Sequence, residues 1–134
     1  DGTGAVFLID SGKTGSTAPM VSIFMEKMKS EGFRKMISTQ FIKHTNLCVD
    51  SFLNGDVKNL FDNTKKLSKI VLDNFKPMIP DEFHDLWKKG IDSGSYFLKL
   101  CGSGGGGYIL GFAPNIEQAK NDLKDYNLEV VYHF

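Results

Sequence analysis

Leu98-Lys99-Leu100-Cys101-Gly102-Ser103-Gly104-Gly105-Gly106-Gly107-Tyr108-Ile109-Leu110-Gly111-Phe112 is the stretch on which the reading of this chain turns. On its N-terminal side Tyr96, Leu98 and Leu100 alternate with Phe97, Lys99 and Cys101, the period of two that sends successive side chains to opposite faces of a sheet. On its C-terminal side Tyr108 to Phe112 reads as a second strand, and the pair predicts a hairpin closed by the glycines. The chain holds 14 glycines in 134 residues, and five of them fall in the six positions from Gly102 to Gly107. The remaining nine are close to the ordinary frequency of about 7%, so the excess belongs to one loop. Ordering six such residues costs about 6 to 12 kcal/mol of backbone freedom, whereas turning a hairpin needs one or two glycines. The loop therefore reads as backbone that must approach a ligand or another backbone without Cβ atoms, with several N–H groups open to an anion. The bland alternative is a permissive turn.

Working outward, Ala5-Val6-Phe7-Leu8-Ile9 is a continuous apolar run ending at Asp10-Ser11-Gly12, the pattern of a buried strand feeding a loop. A helix is predicted from Ser16 or Thr17 to about Ser30, with Pro19 in its first turn and Met20, Val21, Phe24 and Met28 as its apolar stripe. Phe33, Ile37, Phe41, Leu47, Cys48 and Phe52 predict a second helix running to Asn54-Gly55 with that stripe against the core. Asp56 caps a third, with Leu60, Thr64, Leu67, Val71 and Phe75 along one face, and Pro77 and Pro80 break it. Asp81 opens a fourth helix that turns Phe83, Leu86, Trp87 and Ile91 inward and ends near Gly94. Asn115 and Gln118 have capping-box spacing for a last helix, and Leu128 to Tyr132 predicts a final strand. The order of elements predicts one α+β domain over residues 1–134, an antiparallel sheet of about four strands with helices packed on one face.

Composition removes several function classes. Sixteen Lys+Arg balance 16 Asp+Glu, and Arg34 is the one arginine, so the electrostatic footprint of a nucleic-acid binder is missing. No apolar run approaches the roughly 20 residues of a membrane span, and the start of the chain does not read as a signal peptide. Cys48 and Cys101 lie too far apart for a zinc knuckle or a C-x-x-C pair, and a reducing, cytoplasmic setting is expected.

Nucleotide motifs can be tested in turn. Gly12-Lys13-Thr14 has the tail of a Walker A sequence, but Phe7 stands where that motif needs glycine. Gly102, Gly104 and Gly107 satisfy G-x-G-x-x-G, but a strand pattern follows where a Rossmann site needs a helix. A protein kinase is excluded because the chain has neither H-R-D nor D-F-G.

The segment from Leu98 to Gly107 resembles the third conserved motif of the GHMP kinases, K-x-T-G-A-G-G-G-G in a strand-loop-strand near the end of their C-terminal domain. Lys99 matches the lysine, while Cys101 replaces threonine and Ser103 replaces alanine. The segment from Leu8 to Val21 is similar to the strand and loop that open the C-terminal half of the mevalonate-kinase branch, with Thr17 matching a threonine near the substrate. It lacks that branch's usual proline and arginine.

The resemblance implies a ferredoxin-like GHMP C-terminal domain whose N-terminal partner, with the P-x-x-x-G-L-G-S-S-A phosphate loop and the catalytic aspartate, lies outside this sequence. ATP and Mg²⁺ are then expected for a parent enzyme that phosphorylates a small-molecule hydroxyl, mevalonate first. The isolated chain is expected to carry no catalytic residue, no metal site and no activity. Gly102, Ser103, Gly104, Gly105, Gly106 and Gly107 would lie against the phosphate loop of the N-terminal domain, and Thr17 would reach the substrate side. Lys13 reads equally as facing an anionic substrate or solvent.

His44 reads as a hydrogen-bonded histidine at the core edge, His84 as solvated and His133 as a terminal residue. Exposed apolar surface is expected where the other half docks, and with it a homodimer through that face. A second reading, from another class, is a non-catalytic α+β domain that binds an anionic metabolite. Within the kinases, a phosphomevalonate, homoserine or sugar acceptor stays open.

Overall fold

The computed structural model describes residues 3–12, 17–101 and 107–134, without the side chains of residues 17 and 18. Four strands form one antiparallel sheet: β1 (Ala5–Asp10), β2 (Phe97–Leu100), β3 (Tyr108–Ala113) and β4 (Leu128–His133), in spatial order β2-β3-β1-β4. The helices are α1 (Thr17–Lys27), α2 (Glu31–Met36), α3 (Ile42–Leu53), α4 (Val57–Asn74), α5 (His84–Ser93) and α6 (Ile116–Asp122). The predicted α+β class, strand count and hairpin are the observed ones.

The apolar run of β1 is accounted for by its place in the sheet. It is bonded on both sides, to β3 from Ala5↔Ala113 to Asp10↔Tyr108 and to β4 from Ala5↔His133 to Ile9↔Leu128. One face carries Ala5, Phe7, Ile9, Leu98, Ile109 and Ala113, all fully buried or nearly so, beneath Trp87 and Ile91 of α5 and Ile116, Ala119 and Leu123 of and next to α6. The opposite face carries Val6, Phe97, Lys99, Leu110 and Phe112 and is covered less completely. Phe7 lies across Gly111, directly opposite on β3, and a Cβ at position 111 would overlap the Phe7 ring. A strand glycine weakens pairing; here it is the space the largest side chain of β1 occupies.

The helical caps follow local chemistry. Asp56 accepts from the Asn59 backbone N–H at 3.3 Å and Asn115 from that of Gln118 at 3.2 Å, each satisfying an orphan donor of the helix start. Gly94 closes α5 in the left-handed region at φ 74°. Trp87 is fully buried and its indole donates to the Ser68 carbonyl at 2.9 Å, pinning α5 to α4. Tyr96 is equally buried and its hydroxyl donates to the Leu86 carbonyl at 2.6 Å. Around Phe75 at the end of α4, the rings of Phe24, Phe33 and Phe41 gather at centroid distances of 5.3 to 6.3 Å. This cluster holds the N-terminal helices to the domain.

Three expectations need correction. The single helix predicted from Phe33 to Asn54 is α2 and α3 joined by a π-helical turn over Ile37–Phe41, in which the Ile42 N–H reaches back to the Ile37 carbonyl. The extra residue shifts the helical phase, so Phe33, Ile37 and Phe41 meet the core edge while Leu47 and Phe52 do not. No apolar residue of α2, the π turn or α3 is buried. His84 is not solvated: its Nε2 lies 2.9 Å from the Ile79 carbonyl and 3.1 Å from that of Lys76, and its side chain is 22% exposed. The break at Pro77 and Pro80 leaves carbonyls that no continuing helix can satisfy, and His84 folds back onto them.

Gly111→Ala is expected to destabilise the domain by about 1 to 3 kcal/mol through overpacking. Combined with Phe7→Leu, it should cost less than the sum of the two single changes, as read by denaturant unfolding. A second prediction concerns Tyr96, whose hydroxyl is pushed from 10.0 up to about 12, first by burial and then by Asp122 and Tyr126. The folded state keeps the proton longer than the unfolded one, so this contribution is complete below pH 10 and lost as pH rises through 12. Tyr96→Phe should remove that part of the alkaline loss in equilibrium unfolding across this range.

Candidate functional site

Three strand termini converge at one end of the sheet. β1 ends at Asp10, opposite Tyr108 at the start of β3, and the Asp10 N–H also reaches the Asn127 carbonyl ahead of β4 at 3.3 Å. One residue on, the Ser11 N–H donates to the Gly107 carbonyl at 2.9 Å, extending the ladder into the loops. Asp10 Oδ1 accepts from the Gly12 N–H at 2.9 Å, a local turn that redirects the chain toward α1. Gly12 and Gly107 both adopt positive φ, 74° and 70°, which a residue with a Cβ would adopt only with strain.

Thus the loop after β1 and the glycine segment between β2 and β3, 96 positions apart where Ser11 meets Gly107, leave the sheet side by side. Of the residues singled out from sequence, Gly107 is placed in this junction and Thr17 is the first residue of α1. Lys13, Gly102, Ser103, Gly104, Gly105, Gly106 and the side chain of Thr17 lie outside the described residues.

Next to the junction, a cavity of about 390 Å³ lies between α1, the π turn, the end of α4 and the end of β2. Met20, Phe24, Phe75 and Leu100 are among its walls, and Lys99 is the one charged residue on it. Its size is that of a small-molecule site. Among the described residues there is no group of three His, Cys, Asp or Glu that could hold a metal ion. No described helix is long and apolar enough to cross a membrane.

A second cavity, of about 430 Å³, opens on the less covered sheet face between β1, β3 and β4 on one side and α3 and α4 on the other. Sequence reading missed it, because the stripe Leu47, Cys48 and Phe52 looked like core. Two local irregularities build it: the π turn that rephases α3, and a bulge in β4. The β1–β4 register moves from Val6↔Tyr132 to Phe7↔Val130, so the consecutive residues Val131 and Tyr132 both reach the cavity wall. Exposed apolar side chains rim it, Leu53 at 75% and Val49 at 52%. Lys99 borders this cavity as well.

The histidines stay outside both cavities. His44 Nδ1 lies 3.2 Å from Asn63 Oδ1, the hydrogen-bonded core-edge role expected of it, and His133 is exposed on β4. Both cysteines are free. Burial pushes the Cys48 thiol from 9.0 up to about 11, against a smaller lowering by the nearby Lys99 charge.

No family model matches the sequence, and no curated protein matches it. Solved structures do resemble it. A Lin0012 protein from Listeria innocua superposes with a TM-score of 0.76 at 16% identity, covering 100% of this chain and 40% of that one. The Streptococcus pneumoniae phosphomevalonate kinase, in complex with phosphomevalonate and AMPPNP, superposes with a TM-score of 0.73 at 14% identity, over 98% of this chain and 40% of the kinase. At such identities the likeness establishes the fold, and the chain spans two-fifths of each neighbour's length.

The two thiols should separate on alkylation. Cys101 is exposed, whereas Cys48 stays protonated well above neutral pH. Iodoacetamide at pH 8, followed by peptide mass spectrometry, is expected to modify Cys101 first, with labelling of Cys48 rising steeply only as pH approaches 11.

Proposed function

We infer that this chain is the C-terminal, substrate-side domain of an ATP-dependent GHMP-type kinase that transfers a phosphoryl group to the hydroxyl of mevalonate or, in the alternative, to the phosphate of phosphomevalonate. The observation that carries the reading is the hydrogen bond from Ser11 to Gly107, which ties the residue after β1 to the residue before β3. The fold shared with a phosphomevalonate kinase supports it. Phosphoryl transfer depends on positioning and on backbone that closes on phosphate. Gly102 to Gly107 would supply that backbone against the phosphate loop of an N-terminal domain, and Lys13 and Thr17 would face the acceptor.

ATP and Mg²⁺ belong, on this reading, to the parent enzyme and to its N-terminal half. The partner of this chain is that half, and the two free cysteines accord with a cytoplasmic setting. The 134-residue chain alone is inactive on this reading. A non-catalytic domain that binds an anionic metabolite at the same junction is the second reading, and the glycine excess between β2 and β3 is what favours it.

The test is ATP-dependent phosphorylation of mevalonate, phosphomevalonate, homoserine and galactose by the full-length gene product and by the 134-residue chain. Activity in the full-length protein alone, on mevalonate or its phosphate, is the expected result. Activity on homoserine or galactose would move the acceptor, and no turnover of any acceptor by the full-length protein would overturn the kinase reading.

A further inference from the structure

The cavity beneath α3 is separate from the loop junction, and nothing in the proposed kinase role uses it. Its walls are apolar: Val6, Leu67, Leu110 and Phe112 form its floor, and Phe52 and Leu53 its outer lip. Two hydroxyls that reach it are already occupied within the protein. The hydroxyls of Thr45 and Thr64 donate to the Phe41 and Phe61 carbonyls at 2.8 and 3.0 Å, and Cys48 is held as the neutral thiol.

Lys99 differs. It is partly buried on β2, it is the one charged residue on the cavity wall, and among the described residues it has neither a hydrogen bond nor an ion pair. Its charge is felt by Cys48, which borders this cavity and not the one beside the loops. A solitary ammonium against hydrocarbon walls is complementary to an amphiphile with one anionic end, because its desolvation is offset only by a fixed opposite charge.

We propose that this cavity binds a small amphiphilic carboxylate, its hydrocarbon tail between the sheet and α3–α4 and its carboxylate on the Lys99 ammonium. The volume of about 430 Å³ lies within the range of small-ligand sites. The exposed Val49, Leu53 and Tyr132 at the lip are the groups that a bound tail would cover. The proposal stands independently of the kinase reading.

Calorimetric titration of the 134-residue chain with octanoate and decanoate, each against the alcohol of equal length, tests it. Saturable binding of both acids is expected, tightening about fourfold per added methylene. Lys99→Met should weaken the acids by about tenfold or more and leave the alcohols unchanged, while Lys99→Arg should retain the acids. Thermal unfolding of each variant checks that the fold is kept, and Leu53→Asp, at the exposed lip, should weaken acids and alcohols alike without touching the charge. No saturable binding, or equal loss of acid and alcohol in a folded Lys99→Met variant, would overturn the proposal. So would a dimer by sedimentation that Leu53→Asp abolishes and decanoate does not, since the cavity would then be an interface between copies.

Discussion

The antiparallel register between β1 and β3 is the constraint on which the rest of the domain depends. Six consecutive pairs from Ala5↔Ala113 to Asp10↔Tyr108 decide which side chains face the helices, because a slip of one residue would send every one of them to the other face. The register is held where Phe7 lies across Gly111: only a residue without a Cβ leaves room for the ring. The same register carries Ser11 to Gly107, so the packing that builds the core also delivers two distant loops to one end of the sheet. Core and candidate site are thus set by a single pairing.

The helical layer is uneven, and the unevenness makes the cavities. α4 is the spine, buried along its length and tied to α5 through the Trp87 indole. α1, α2 and the π turn lean on its end through the ring cluster about Phe75, and α3 packs along it, without burying an apolar side chain of α2 or α3. That arrangement leaves one opening on each side of α3's approach to the sheet, with Lys99 on the strand between them. Small apolar openings of this kind suit ligands or docking chains, and a domain of 134 residues has core enough elsewhere to tolerate them.

Much of the architecture was legible because local chemistry and global fold agree. Asp56 and Asn115 cap the helices they were read to cap, Gly94 ends α5, and the alternation at Tyr96 to Cys101 is a strand in the hairpin with Tyr108 to Phe112. The stripe of Leu47, Cys48 and Phe52 misled because periodicity reports amphipathicity and not what covers it. A π turn costs one residue of phase and has no compositional signature. The bulge that brings Val131 and Tyr132 to one wall is equally silent in sequence. His84 looked solvated because its partners are carbonyls, and carbonyls released by a proline break are seen only in space.

By itself the amino-acid sequence determined most of the elements, the caps at Asp56 and Asn115, the α+β class and the hairpin that flanks the glycine-rich segment. Those properties are local: they depend on side-chain spacing, on proline and glycine dihedrals and on composition within a few residues. Only the tertiary structure decided that the hairpin's loop and the loop after β1 emerge together, that β1 is central, and that Lys99 stands alone between two apolar openings. These are pairings across about a hundred residues, chosen by the burial of complementary surfaces, and no local pattern encodes which distant surface will be the complement.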